Sequence, residues 1–490
     1  MIFRRKKVDN KPDTLLHRVG NVTGNFKRYL TDEMETVLNG WRTGDTSIDA
    51  TLARFHKKTV ARAREEHRKN DYVKRYFQLL KTNVIGPEGI VLHALMTDGK
   101  GKRIKAKNLT LEKAWQQWMR KEYCDIQGKL NFVQMQQLIL TSVAQDGEAI
   151  ILLVNNPDNP FGLSLQLIDS ARLDIEHNKK LSKNRYIRNS IEFNQYGKPL
   201  AYHLLDSDEE GVLNRKNYNR VPAEQIIHLY QTDFVGQNRG MSWIATALFR
   251  MKMLNSYQDA AIINANSTAR KIAFFKKQYS DAADADKKQI FQDEHIGYGI
   301  IPDGYEMTSF DSQYPNGEIE PFTKSLLRGI ASALGVSYNA LASDLEGVNY
   351  SSLRQGAIDE RDNYRTIQNW FINAFLMPLY TKWLESALLL NAIDGFAIAD
   401  FDKAQQVRFQ ARRWQWVDPA KEMTAFEKKL NLGVTTRDDI IREMGDDPDH
   451  VFNQLSHEQE QLSEYGLTHL IHPTPTSNNK EIVNDDTKQD

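Results

Sequence analysis

Cysteine is almost missing from this 490-residue chain: the single Cys124 excludes an internal disulfide framework and a thiolate metal cluster. That usage fits a reducing compartment, and the ordinary role of such a residue is a small buried hydrophobe. Net charge is missing too. With 64 Lys and Arg against 64 Asp and Glu, the molecule as a whole does not bind polyanions by bulk electrostatics. No long apolar run exists either. The longest charge-free stretch, Thr366 to Thr381, is 16 residues and contains Gln368, Asn369 and Asn373, too short and too polar to cross a bilayer. The opening MIFRRKKVDNKPD is basic but has no apolar core behind it, so it is not a secretory signal. A soluble chain without a membrane partner is expected.

The motifs of common chemistries are missing as well. No GxxxxGK[ST] phosphate loop, HExxH, GxSxG or CxxC occurs. Gly297, Gly299 and Gly304 fail the dinucleotide spacing and read as strand and turn glycines. The twelve histidines are scattered. His469 and His472 lack the convergent partners that a metal needs, and His228, between Ile227 and Leu229, reads as a hydrogen-bonded strand residue. Asp400 and Asp402 have no third carboxylate for two-metal chemistry and read as the polar edge of a helix. The DDPD cluster at 446–449 lacks EF-hand spacing and suits N-capping instead. No enzyme, cofactor or metal is expected.

What is present is pattern. Hydrophobic residues, at 40%, suffice for a sizeable core, and the length allows two to four folding units. Phe322, Leu326, Leu327, Ile330 and Leu334 recur at helical steps and stop at Gly335, where a helix wants a left-handed residue. Ser352 with Gln355 reads as a capping box that opens a second helix. Its apolar stripe runs through Tyr364, Phe371, Phe375 and Trp383 to about Leu390, on the order of 58 Å, with a kink expected at Pro378. Between the two lies SYNALASDLEGVNYS, which carries Asp344 and Glu346 and no Lys or Arg.

Upstream, Arg54 to Lys81 holds ten Lys or Arg against three acids, with Val73, Tyr76, Phe77, Leu80 and Val84 on one face and Asn70 or Asp71 as cap. This is either a nucleic-acid-facing helix or, more ordinarily, a solvated or intersubunit face opposite a core stripe. Helices are expected over Leu109–Glu122 and Phe132–Gln145. Strands are expected over Glu148–Val154 and Leu163–Leu167, over Tyr186–Phe193 and Pro199–Leu205 about Gly197, and over Gln225–Tyr230. The helical period returns from Met241 to about Thr268, a separately patterned insertion follows to about Glu320, and helices flank Gly445 and end at Gly466. From Asp438 to Asp490 thirteen acids face three Lys or Arg. The fold class is α+β.

Several segments together resemble the lambda-type family of bacteriophage portal proteins: GVSYNAL, EGVNYSS and the long helix with MPLY and WL, then KNDYVKRYFQLLKTNVIG, AQDGEAIILL, VPAEQIIHLY, GQNRGMSWI and LGVTTRDDIIREMGDDPD. The resemblance covers about residues 50 to 466. It implies a portal-type, ring-forming architecture: a peripheral arm over 1–50, an α+β wing over 51–240, stem helices over 241–269 and 321–335 about a clip over 270–320, a tunnel loop over 336–351, a long kinked helix over 352–395 closing the wing, a helical crown over 396–466 and a disordered acidic tail over 467–490. It also implies a dodecameric homo-oligomeric ring at a capsid vertex of the virion, assembled in the host cytoplasm. Double-stranded DNA would pass through the ring, and the terminase large subunit, the major capsid or scaffold protein and a head-completion adaptor would dock on it. Asp344, Glu346, Asn349 and Tyr350 would then face the DNA channel, and Asp284, Asp286, Lys287, Lys288, Asp293 and Glu294 would serve docking. Two other readings stand beside it: a nucleic-acid-processing enzyme gripping substrate with 54–81, and a capsid structural protein without a channel.

Overall fold

The computed structural model describes residues 47–98, 100, 103–182, 184–207, 212–269, 273–277, 305–309, 319–347, 349–414, 419–444 and 448–466. The basic segment forms two helices rather than one, α1 (Ile48–Lys69) and α2 (Asp71–Leu80), because Asn70 leaves the helical region and caps α2 with its side chain. A π-turn over Lys81–Ile85 follows, then strand β1 (Val91–Ala94) and helices α3 (Lys105–Trp118), α4 (Lys121–Cys124) and α5 (Phe132–Asp146). Asn131 and Gln134 form a reciprocal capping box at the start of α5.

Strands β2 (Glu148–Asn155), β3 (Leu163–Ile168), β4 (Lys179–Ser182), β5 (Arg185–Arg188), β6 (Ile191–Asn194), β7 (Pro199–Ser207), β8 (Leu213–Pro222) and β9 (Ile226–Tyr230) come next. They make an antiparallel sheet in the order β3-β2-β9 and a second in the order β4-β5-β6-β7-β8. The expected single strand over Tyr186–Phe193 is in fact a hairpin. Asn189 and Ser190 both take positive φ, 52° and 66°, so the chain reverses there without a glycine. Strand β8 is polar along most of its length, which is why no apolar alternation announces it.

Helix α6 (Leu248–Ala269) starts later than the period from Met241 suggests, since Trp243–Ala247 forms turns. Strands β10 (Ala273–Lys277) and β11 (Tyr305–Ser309) pair antiparallel within the insertion. Then follow α7 (Ile319–Leu334), α8 (Tyr338–Ala342) and α9 (Tyr350–Phe371), and a π-turn over Ile372–Leu376 leads into α10 (Met377–Leu389). The expected irregularity at Pro378 is carried by that π-turn: the ring sits in the first turn of α10, where its missing N–H costs least. A one-turn helix α11 (Phe401–Ala404), strand β12 (Val407–Gln410) and helices α12 (Pro419–Asn431), α13 (Arg437–Met444) and α14 (Pro448–Glu464) are the last elements among the described residues. Strand β12 returns to pair antiparallel with β1.

The main core gathers around aromatic rings from α3, α5 and α10. Trp115 lies 4.8 Å from Trp118 and meets Trp383 edge-on at 5.0 Å, and Phe132, Phe161 and Tyr380 close the cluster. Cys124 is buried there, and burial pushes its thiol up to about 12, as suits a structural residue. The AQDGEAIILL and GQNRGMSWI segments meet beside the sheet. Glu148 is fully buried and accepts from Arg239 Nε at 2.8 Å, from His228 Nε2 at 3.0 Å and from the Gly240 amide at 3.2 Å. Burial alone would raise the Glu148 carboxyl, but the Arg239 charge, with hydrogen bonds from Arg239 and His228, holds it well below the usual carboxylate range. His56 of α1 packs against this group, and burial drives its imidazole down to about 4. Gly240 has no alternative: a Cβ there would lie 1.9 Å from the Gly147 carbonyl oxygen.

Candidate functional site

Helix α7 ends as its period demands, with Gly335 at φ 66°. Ser337 then caps α8, accepting from the Ala340 amide at 3.2 Å and donating to Glu360 on α9 at 3.0 Å. Ser343, at φ 54°, stops α8 after five residues, so the sequence between the long helices is a helical turn followed by a short loop. Asp344 and Glu346 lie on that loop. The Tyr338 hydroxyl donates to Asp344 Oδ2 at 2.7 Å, and the Glu346 amide donates to Asp344 Oδ1 at 2.9 Å. These two donors, the phenol first, lower the Asp344 carboxyl below its ordinary value.

A cation that the loop sequence does not contain reaches it from α7. Lys324 lies 2.5 Å from Glu320, 3.5 Å from Glu346 and 3.9 Å from Asp344. The bond to Glu320, then the loop acids, raises the Lys324 ammonium above its ordinary value. Asp344 is 25% exposed and Glu346 80%, so Glu346 is the outward charge and Asp344 the one that shapes the loop. The pair Glu320–Lys324 is legible only if α7 begins at Ile319; the boundary expected at Phe322 hides it.

Asn349, not Ser352, caps the long helix: its Oδ1 accepts from the Ser352 amide at 2.8 Å. Gln355 donates to Asp359 at 2.8 Å instead of reaching back, so the expected capping box does not form. Asn is as good a cap as Ser and lies three residues earlier, which places Tyr350 in the first turn. Asp344, Lys324 and Tyr338 edge an open cleft of about 1250 Å³ between α1, α2, α6 and α7. Arg75 of α2 ties this unit to the body by donating to the Ala340 carbonyl at 3.0 Å.

Two cations of the basic stretch 54–81 turn toward the body: Lys57 lies 2.9 Å from both Asp174 and Glu176, and Arg64 bridges Asp146 and Asp169 at 2.5 and 2.6 Å, whereas Lys69 meets Glu65 at 2.8 Å on the exposed face. Such a helix is a structural brace, which disfavours a nucleic-acid grip along it. His228 is the hydrogen-bonded strand residue its neighbours suggest. Asp400 accepts from the Ala397 amide at 3.2 Å and pairs with Lys107 at 3.4 Å, a helix-start role. Among the described residues no group of His, Cys, Asp and Glu could hold a metal, and no helix is long and apolar enough to cross a membrane. Asp284, Asp286, Lys287, Lys288, Asp293 and Glu294 lie outside the described residues, as do His469, His472 and the 467–490 tail.

Residues 35–368 match the family model described as "Phage portal protein, lambda family". A "Probable portal protein" of Halomonas phage phiHAP-1 is 30% identical over 473 residues, which is 94% of this chain and 91% of that relative. "Portal protein B" of Escherichia phage lambda is 22% identical over 475 residues, 88% of each chain.

Proposed function

The chain belongs to the lambda family of phage portal proteins, and from that premise we propose that identical copies close into a ring at one capsid vertex, through which double-stranded DNA is packaged and ejected. The chain is a structural component of the virion rather than an enzyme. In this reading the α+β body over 51–240 is the wing, α6 and α7 are the stem, the 270–320 insertion is the clip, and the segment 396–466, with α12 to α14, is the crown. The terminase large subunit and the head-completion adaptor dock on the clip through Asp284, Asp286, Lys287, Lys288, Asp293 and Glu294, and the capsid or scaffold protein holds the ring at the vertex. Assembly takes place in the host cytoplasm, and the number of copies is twelve.

The observation that carries the reading is the acid-bearing loop between α8 and α9, held on the stem by Lys324. A conduit must not grip its cargo. Cations that neutralise phosphates release counterions and bind DNA strongly, whereas carboxylates repel the duplex and keep it centred. Ring symmetry turns Asp344 and Glu346 into circles of negative charge, with Asn349 and Tyr350 beside them. Exposed Ile262 and Ile263 on α6, at 60% and 65%, support packing of the stem against a second copy.

Electron microscopy of the purified protein should show closed rings with an axial hole; monomers or open filaments refute the ring. In a packaging assay, Asp344→Lys with Glu346→Lys should slow translocation or leave DNA retained by the ring. Unchanged packaging by well-formed variant rings would show that the loop does not meet DNA.

A further inference from the structure

The two-stranded sheet of β1 and β12 turns Leu92, Ala94 and Phe409 into the core, so the pleat puts His93 and Arg408 on the other face, directly opposite one another. Gln410 shares the face of Arg408 two residues on. That face meets α13 and the start of α14 around a cavity of about 120 Å³, lined by His93, Arg103, Arg408, Gln410, Arg442 and Pro448. The space is large enough for several waters or one tetrahedral oxyanion.

Among the described residues the charges around it do not cancel. Arg103 pairs with Asp449, and Arg442 lies 3.4 Å from Asp438, so two carboxylates offset two of the three guanidiniums. The Arg408 side chain makes no hydrogen bond or ion pair among the described residues. Gln410 is 8% exposed, yet its Nε2 has no acceptor. A buried donor without a partner is costly and rare enough to require an explanation. Pro448 brings the N-terminal end of the 17-residue α14 to the same wall, where the helix dipole favours negative charge.

We propose that this cavity binds one phosphate-type oxyanion, held by the planar fork of Arg408 with Gln410 as a second donor. The bound anion bridges strand β12, the partner of β1, to α13 and α14 within one protomer. Its source is either inorganic phosphate or a phosphodiester of duplex DNA, and the site is independent of whether the chain forms a ring or a channel.

The test follows the unfolding of the full chain in increasing inorganic phosphate, with ionic strength held constant by chloride. A saturable gain is expected, and at ten times the dissociation constant the ratio of folded to unfolded protein rises about 11-fold. Arg408→Gln should weaken the response roughly 10-fold or more, because a charge-assisted pair is lost, and Arg408→Lys should keep part of it. Gln410→Leu leaves every charge in place and should also weaken it. No saturable response in the wild type, or an equal response in Arg408→Gln shown to be folded by circular dichroism, overturns the proposal. A second arm measures binding of a short DNA duplex by fluorescence anisotropy. If Arg408→Gln weakens duplex binding and phosphate competes with it, the source is the DNA backbone; if only the phosphate response is lost, the source is the free ion.

Discussion

Replacing Arg239 by Met isolates the buried ion cluster that joins α1, β2, β9 and the loop ending at Gly240. In the wild type the Glu148 carboxylate is 0% exposed and Arg239 1%, so neither charge has water to fall back on. Arg239→Met leaves Glu148 with His228 and one backbone amide. Removing one partner of a buried pair costs about 3–5 kcal/mol, since the other charge stays desolvated. Urea unfolding at pH 7 and fixed protein concentration should therefore show a midpoint lower by about 0.5–1 M, given the steep slope of so long a chain, with the slope unchanged. The pH dependence is a sharper readout. Without the guanidinium, burial dominates and raises the folded-state Glu148 carboxyl above its unfolded value. Such a group favours folding below its unfolded pKa and loses that contribution as pH rises through the folded one. The gap between variant and wild type should therefore narrow from pH 8 to pH 5. Adding Glu148→Gln should recover part of the loss, because no buried charge then remains uncompensated. A midpoint that hardly moves, or a gap independent of pH, would refute the claim that a desolvated carboxylate is held charged by Arg239.

The wild type should itself lose stability in mild acid. His56 is held down to about 4 against an ordinary 6.5, so the unfolded chain takes up the proton first, and between pH 7 and pH 5 folding should weaken by about 2 kcal/mol. Glu148, whose folded value is also depressed, adds its loss only below about 4.5, and His56→Asn should flatten the upper window in a urea series. Asn349→Ala removes the cap of α9 and should cost about 1 kcal/mol, with hydrogen exchange faster in the first turn and unchanged in α10. Gly240→Ala forces a Cβ onto the Gly147 carbonyl and should yield little soluble protein, whereas Gly197→Ala, at a turn with open space, should be soluble and cost far less.

Where the chain spoke through apolar period it was legible, and where it spoke through a short polar device it was not. The stripe ending at Gly335, the run over Glu148–Asn155 and the helix closing at Gly466 stand close to where periodicity puts them. The hairpin at Asn189 and Ser190 was missed because side-chain hydrogen bonds fix its positive φ: Ser190 Oγ donates to the Asp174 carbonyl at 2.8 Å, and the Asn189 amide donates to Asn178 at 2.9 Å. Strand β8 is recruited by its neighbour rather than by its own pattern. At the start of the long helix two good caps competed three residues apart, and propensity alone could not rank Asn349 against Ser352. The candidate site was half legible. Its acids stand in the loop, but the lysine that steers them comes from a helix some twenty residues upstream, a contact that only folding creates.

Lys324 changes what the acidic loop can do. A loop bearing two bare carboxylates would be pushed outward by its own repulsion, and its position would follow salt. Bound to Lys324 of α7, the same acids are fixed in place while Glu346, 80% exposed, still offers its charge to solvent. The pairing is weak, as exposed ion pairs are, so the loop is positioned without being locked. Lys324→Gln should free the loop while leaving α7 intact, since that helix is held by its buried face of Leu327, Ile330, Ala331 and Leu334. The expected result is faster hydrogen exchange over 343–347 and more salt-dependent packaging than in the wild type. Should exchange there stay unchanged, then Tyr338 and the Asp344 turn hold the loop by themselves, and the lysine serves only to trim its charge.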